Sequence, residues 1–275
     1  MQKNKIFIFI LLVAIGFSSC SEYQKVLNKG TVEDQYKMAT ELYESQKYNK
    51  AIQLFEKITP SYRGKPQMER IQYMVAQAHY NTKQYSLAAY YFDKFVKNYP
   101  KSSKLEEAEY LSAHSYYLAS PVYSLDQKDT HEAINALQNF IYKFPESEHT
   151  AAANKNIKEL THKLEKKYFE IAKQYYHTED YISAIAAFDN LLADYLGTSY
   201  KEEALYFKFK ASYELGINSY ILKKESRLKD AIKAHEKFKR NFPDSEYLKE
   251  TEKLVINLNE ELNSLPDIKT QTNGI

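Results

Sequence analysis

Four tyrosines, Tyr36, Tyr43, Tyr73 and Tyr80, form two pairs whose members are seven residues apart. Seven residues is two helical turns, so on a helix both rings of a pair share one face. The chemistry this allows is recognition. Each ring buries apolar area, and its hydroxyl can hydrogen-bond the backbone of an extended peptide. The pattern continues with Tyr110 and Tyr117, then Phe169 and Tyr176. The first ring always stands three residues before a small Ala (39, 76, 113, 172), and the second stands four after it. A fifth candidate, Arg63, falls in a turn rich in helix breakers and could meet a peptide's terminal carboxylate; a solvated turn charge explains it too. Packing alone also accounts for rings at these offsets, so both readings stand at this stage.

A second kind of chemistry belongs to Cys20, the only thiol in the chain. Lys3 and Lys5 precede an apolar run from Ile6 to Phe17, followed by Ser18, Ser19 and Cys20. That run is shorter than the ~20 residues needed to span a bilayer and follows the plan of a secretory signal peptide. Ending on cysteine, it resembles a bacterial lipoprotein signal, in which the thiol is acylated and becomes the first mature residue. Several acyl chains on one residue make a lasting membrane anchor, where one chain would not. Loss of residues 1–19 also removes Lys3 and Lys5, so the 38 basic residues fall to 36 against 36 acidic ones. Such a neutral mature chain has no basic field for nucleic acid and no disulfide framework.

Bond-making chemistry finds little support. The sequence has no HExxH, CxxC, Gly-rich phosphate loop or GxSxG turn. His79 reads as a packed core residue and His131 as a solvated helix start. We expect no enzyme activity, no metal site and no cofactor.

The elements that position the tyrosines are legible from Ala76 to Ser102. Ala76, Tyr85, Ala88, Phe92, Phe95 and Pro100 sit at the offsets of a tetratricopeptide (TPR) helix-turn-helix unit. Small Ala76 and Ala88 let two helices approach, the phenylalanines fill the groove, Pro100 stops the helix, and Ser102 can N-cap the next. Related patterns surround Ala39, Ala51, Phe55 and Pro60; Ala113, Ala133, Phe140 and Pro145; Ala172, Ala184 and Phe188; and Ala204, Ala231, Phe238 and Pro243. The spacing predicts an all-α, TPR-type solenoid of about five repeats with a C-terminal capping helix carrying Leu248, Val255, Leu258 and Leu262. Its first helices would line a concave surface, making the tyrosines a double aromatic ladder. Insertions fall at 119–130 and near 216–229. One long helix is expected from about Glu148 to His177, with Ile157, Leu160, Leu164, Tyr168, Ile171 and Tyr175 along one stripe. The expected divisions are a signal peptide at 1–19, a lipidated tether at 20–30, repeats one to three at 31–145, repeats four and five with the cap at 146–264, and a disordered tail at 265–275.

Four stretches, CSEYQKVLNKG at 20–30, PSYRGKPQ at 60–67, AAYYFDKFVKNYP at 88–100 and YYLASPVYSLDQKDT at 116–130, together resemble the BamD family of TPR lipoproteins of the outer-membrane β-barrel assembly machinery. The resemblance implies an outer-membrane, lipid-anchored, periplasm-facing scaffold without catalysis. Its N-terminal repeats would recognise unfolded β-barrel substrates, and its C-terminal repeats would dock a BamA-like barrel subunit. Other outer-membrane TPR lipoproteins, a SusD-type glycan binder or a general envelope scaffold, are the alternatives. The absence of Trp, the best ring for stacking on sugar, argues against the first of these.

Overall fold

The computed structural model describes residues 22–266. The expected signal peptide, Cys20 and the expected tail beyond Pro266 lie outside the described residues. Those described form twelve helices and no strands. After α1 (residues 22–29) come α2 (Val32–Glu44) and α3 (Tyr48–Tyr62), then α4 (Gln67–Asn81) and α5 (Tyr85–Asn98). The third pair is α6 (Leu105–Ala119) and α7 (Lys128–Lys143), and the fourth is α8 (Thr150–His177) and α9 (Tyr181–Asp194). The last pair, α10 (Lys201–Ile217) and α11 (Ile221–Asn241), precedes the terminal helix α12 (Leu248–Ser264). The fold is all-α and of TPR type, as the periodicity predicts.

The described residues divide into two compact units, one holding 22–121 with Asp126–Leu160, the other Val122–Leu125 with 161–266. The division between the two units falls inside α8. Ala153, Ile157 and Leu160 of α8 complete the core of repeat three with Ala133, Leu137 and Phe140. In the second unit, Lys167 Nζ donates to the carbonyls of Tyr123 (3.3 Å) and Leu125 (2.8 Å), and Lys166 stands 4.5 Å from the Tyr123 ring centroid. Two lysines thus hold the insertion after α6 onto α8.

Inside each repeat the small and large positions interlock. Ala39, Ala51, Ala76, Ala88, Ala172, Ala184, Ala204 and Ala231 are fully buried, as are Phe55, Phe92, Phe95, Phe188 and Phe238. Burying one such phenylalanine contributes about 1.5–3 kcal/mol. The turns repeat as faithfully as the core. After α5, α7, α9 and α11 a ring residue (Tyr99, Phe144, Tyr195, Phe242) donates its N–H to a carbonyl four residues back. Three residues on, Ser102, Ser147, Thr198 or Ser245 donates to that ring residue's carbonyl. The hydroxyls of these four accept from the N–H two residues ahead, on Lys104, His149, Tyr200 and Tyr247. Ser102 therefore shapes the approach to α6 and is not its N-cap, a position held by Lys104. Leu196 replaces the proline of this turn in repeat four without changing its bonding.

The structure corrects several boundaries. The expected tether is helix α1, docked on repeat one. Tyr23 is 5% exposed and its hydroxyl donates to Gln53 Oε1 at 2.6 Å. The Gln35 amide donates to the carbonyls of Val26 and Leu27, both at 3.1 Å, closing the free end of α1. A Cβ on Gly30 would meet the Val26 carbonyl at 2.6 Å, so only glycine passes there. Pro60 does not stop α3, which runs on to Tyr62; buried Tyr62 packs 5.3 Å from Tyr36 and holds that last turn. Most of the 216–229 insertion is extra helix at the start of α11, with only residues 218–220 between helices. Leu265 belongs to the terminal core and not to a tail. On α8 the expected stripe is buried only through Leu164. Beyond it the packed face carries Phe169 and Ala172, leaving Tyr168, Ile171 and Tyr175 about 40% exposed.

Where repeats one, two and four turn between their helices, Gln46, Lys83 and Glu179 take φ of 60°, 60° and 62°. Side-chain-bearing residues pay about 1–2 kcal/mol in that left-handed region, and glycine does not. Lys83→Gly should therefore raise the thermal midpoint by roughly 1–3 °C, a gain of about 0.5–1 kcal/mol. Lys94→Gly, inside α5, should lower stability by about 1 kcal/mol. Melts followed by circular dichroism check the opposite signs.

Candidate functional site

The first ring of each ladder pair glues its own repeat together. Tyr36 meets Phe55 edge-on at 6.5 Å, and Tyr73 meets Phe92 at 6.1 Å and Phe95 at 5.4 Å. Tyr110 lies 5.5 Å from Phe140, and Phe169 lies 6.0 Å from Phe188. The second ring clasps the following repeat. The Tyr43 hydroxyl donates to Gln77 Oε1, Tyr80 OH pairs with His114 Nδ1 at 2.7 Å, and Tyr117 OH donates to Glu159 Oε2. In repeat five, where Lys208 and Leu215 break the ladder, Tyr213 plays this part by donating to Asn257 Oδ1 at 3.0 Å. The ladder exists, and much of it is structural. All four candidate tyrosines are half-buried, and the hydroxyls of Tyr43 and Tyr80 already have partners within the chain.

Two of the four share an open surface. A cleft of about 410 Å³ lies between α2 and α4, with Tyr43, Tyr73, Met74 and Phe95 as apolar walls. Glu44, Glu69, Arg70 and Lys104 bring charge to it. Tyr36, Tyr80 and Arg63 do not line it. Arg63 is exposed in the turn before α4. Arg70 and Lys104 are the cations that reading the sequence missed. Arg70 stands three residues before Tyr73 on the same helix face, so a search for a cation beside a ladder ring would have found it. Lys104 reaches the cleft only through the fold, its Nζ lying 5.6 Å from the Tyr73 ring centroid.

The cleft's electrostatics follow from its walls. Burial chiefly, with the nearby Tyr48 and Glu107 adding to it, pushes the Tyr43 hydroxyl up to about 12. The Tyr73 hydroxyl is buried without a hydrogen bond in good geometry. Burial first, and the facing Glu107 carboxylate second, raise its pKa further still. Burial works to raise Glu107, but Lys104, paired at 2.8 Å, and Tyr73 outweigh it and hold the carboxylate below its usual range. Arg70 reaches Glu44 at 3.8 Å, with more than half of each side chain exposed. An exposed pair of this kind is worth little and yields readily to another anion. The cleft therefore offers an apolar slot edged by an available guanidinium and an ammonium.

Among the rings of repeat three, His149 stacks on Tyr110 at 4.0 Å and Tyr110 on His114 at 5.5 Å. His79 is buried, stacked on Tyr91 at 4.8 Å, as its helix position predicts. Among the described residues no group of three or more His, Cys, Asp or Glu could hold a metal ion, and no helix is long and apolar enough to cross a membrane.

The model of the YfiO family, described as outer membrane lipoprotein, matches residues 28–228, well over half the sequence. The chain belongs to that family. Membership supports association with the outer membrane. A comparison with curated proteins gives no match. Similar solved structures include a Podosopora anserina protein of kinesin-light-chain type with nearly identical TPR-like repeats (13% identity, 85% of this chain and 97% of that one, TM-score 0.32) and a single-residue variant of it (14%, 83% and 93%, 0.33). The TPR2AB domain of yeast Sti1 in complex with pHSP90 is another (12%, 83% and 98%, 0.36). Superpositions this loose carry no argument about function.

Burial holds the pKa of His79 and His114 below the ordinary value, and His149 depresses His114 further. The unfolded chain takes up these protons near pH 6.5 while the folded chain resists, so the associated stability is full above about 6.5 and is lost as pH falls below it. The melting midpoint should therefore be lower at pH 5.5 than at pH 7.5. His114→Asn, which keeps an acceptor for Tyr80, should shrink that difference; an equal difference would mean that His114 contributes nothing to it.

Proposed function

We propose that this protein is the BamD-like scaffold of an outer-membrane β-barrel assembly complex, helping to recognise and insert β-barrel proteins. In this reading it is anchored through acylated Cys20 and faces the periplasm. Family membership and the four resembling stretches support it. The observation that carries the substrate half is the cleft where Tyr43 and Tyr73 wall an apolar slot beside Arg70 and Lys104. Unfolded barrel chains are extended, alternate polar with apolar residues and commonly end in an aromatic, next to a free carboxylate. The slot takes the terminal ring, and Arg70 with Lys104 takes the carboxylate, an arrangement suited to charge-assisted bonds. Tyr36 and Tyr80 hold the helices that shape the slot, and Arg63, exposed in the turn before α4, is an outer contact. Repeats four and five dock the BamA-like barrel subunit.

Fluorescence anisotropy with a synthetic barrel C-terminal peptide tests the substrate half. Tyr73→Ala with Tyr80→Ala would also strip contacts to Phe92, Phe95 and His114, so the cleaner variant is Arg70→Glu with Lys104→Glu. It should weaken binding at least about tenfold, ~1.4 kcal/mol, and should lose the preference for a free over an amidated C-terminus. Pull-down of the barrel subunit should be unchanged. A folded variant that binds like the wild type would place the substrate elsewhere.

The anchor is tested separately by mass spectrometry of the mature N-terminus. Acylated Cys20 is expected, and Cys20→Ser should leave unprocessed precursor or soluble periplasmic protein. An unmodified Cys20, or cleavage elsewhere, would remove the anchor.

A further inference from the structure

Residues 22–29 form a helix fixed to repeat one by side chains of α2 and α3. Tyr23 is bonded to Gln53, the Gln35 amide closes the carbonyls of Val26 and Leu27, and Lys57 Nζ also donates to the Leu27 carbonyl. Only Ser21 separates this helix from Cys20. Two residues of fully extended chain reach about 7 Å. A bilayer's headgroup layer on each side is about 5–8 Å deep. If the anchor enters the bilayer at Cys20, α1 has no slack with which to leave the membrane surface.

The side chains on that surface suit the place. Lys25 and Lys29 are exposed one turn apart on α1. Lys50 lies 5.0 Å from the Tyr23 ring centroid, and Lys57 is exposed beside Leu27. Against these four cations α1 itself carries one acid, Glu22. Asp34, past Gly30, is occupied by the Thr31 N–H and hydroxyl at 3.1 and 2.8 Å. Glu56, next to Lys57, accepts from Tyr91 at 3.2 Å.

We propose that α1 and the lysines around it form a contact surface for anionic phospholipid headgroups, holding repeat one against the leaflet that carries the anchor. The proposal rests on acylation of Cys20. Lysines near an anionic surface each add attraction, and with an acyl anchor already in place they set orientation more than affinity. Repeat one thereby faces the membrane through α1, a docked helix where the sequence suggested a short tether.

The acylated chain, whose Cys20 thiol is consumed, takes a single reporter at Asn28→Cys on α1 or, as a control, at Lys97→Cys on α5. Each is reconstituted into phosphatidylethanolamine vesicles with a minority of phosphatidylglycerol and a nitroxide-headgroup lipid. Fluorescence at position 28 should be quenched at least about threefold more than at position 97, and Lys25→Gln with Lys29→Gln, or replacement of the phosphatidylglycerol by phosphatidylcholine, should remove about half or more of that excess. Equal quenching at the two positions, or quenching at 28 indifferent to the lysines, overturns the proposal. Shielding of the reporter by the barrel subunit in place of lipid also overturns it, and gives the face to a protein. Vesicle flotation and the N-terminal mass are read on the same samples. A chain that is not acylated and does not float defeats the anchor reading instead, and the two failures remain distinct.

Discussion

Close approach of two helices at an alanine is the constraint on which the rest of this structure depends. Where Ala76 and Ala88 are fully buried, no side chain keeps the helices of repeat two apart. The space on either side is then the right depth for a phenylalanine ring. Phe92 and Phe95 fill it, and Tyr73 meets both edge-on. Repeats one and four reuse the arrangement with Ala39, Ala51 and Phe55, and with Ala172, Ala184 and Phe188. Without a disulfide in reach of its single cysteine, the chain relies on this packing and on the stacking of neighbouring repeats.

That economy shapes the candidate site. Because the ladder rings are needed to join helices and repeats, a ligand is left with the faces and gaps between them. The cleft at Tyr43 and Tyr73 is such a gap, apolar because its walls are packing residues. Its charge comes from residues with no part in the core: Arg70, in a weak exposed pair with Glu44, and Lys104, at the mouth of the next helix. The division of labour suits a scaffold. Rigid rings set the shape, and solvent-facing cations respond to what enters.

Outer-membrane lipoprotein membership, a TPR fold and a helix docked directly after the proposed anchor fit one arrangement. A protein that hands substrates to a membrane-embedded partner benefits from a first repeat held at a defined distance from the bilayer. In the proposed arrangement helix α1 would supply that, through three hydrogen-bonding side chains, Gln53, Gln35 and Lys57, contributed by repeat one. A flexible linker in the same place would leave the cleft's orientation to chance.

The sequence by itself determined the helical class, the pairing of helices and the small and large positions of the core, because each depends on periodicity and residue size within about forty residues. It also showed the ladder, and the long helix to within two residues of its start. Tertiary structure decided what those residues do. Whether Tyr80 faces a ligand or His114 depends on a partner 34 residues away, and Lys104 joins the cleft only when α6 packs beside α4. Likewise EYQKVLNK looked like a tether because eight residues seldom hold a helix alone. Tyr23 and Leu27 show their purpose only against α3, whose surface the folded chain creates. Even the stripe on α8 turned partway along, from Leu164 to Phe169, because its second half packs against a different repeat from its first. Local pattern is written in neighbours along the chain, and contact partners are chosen by the fold.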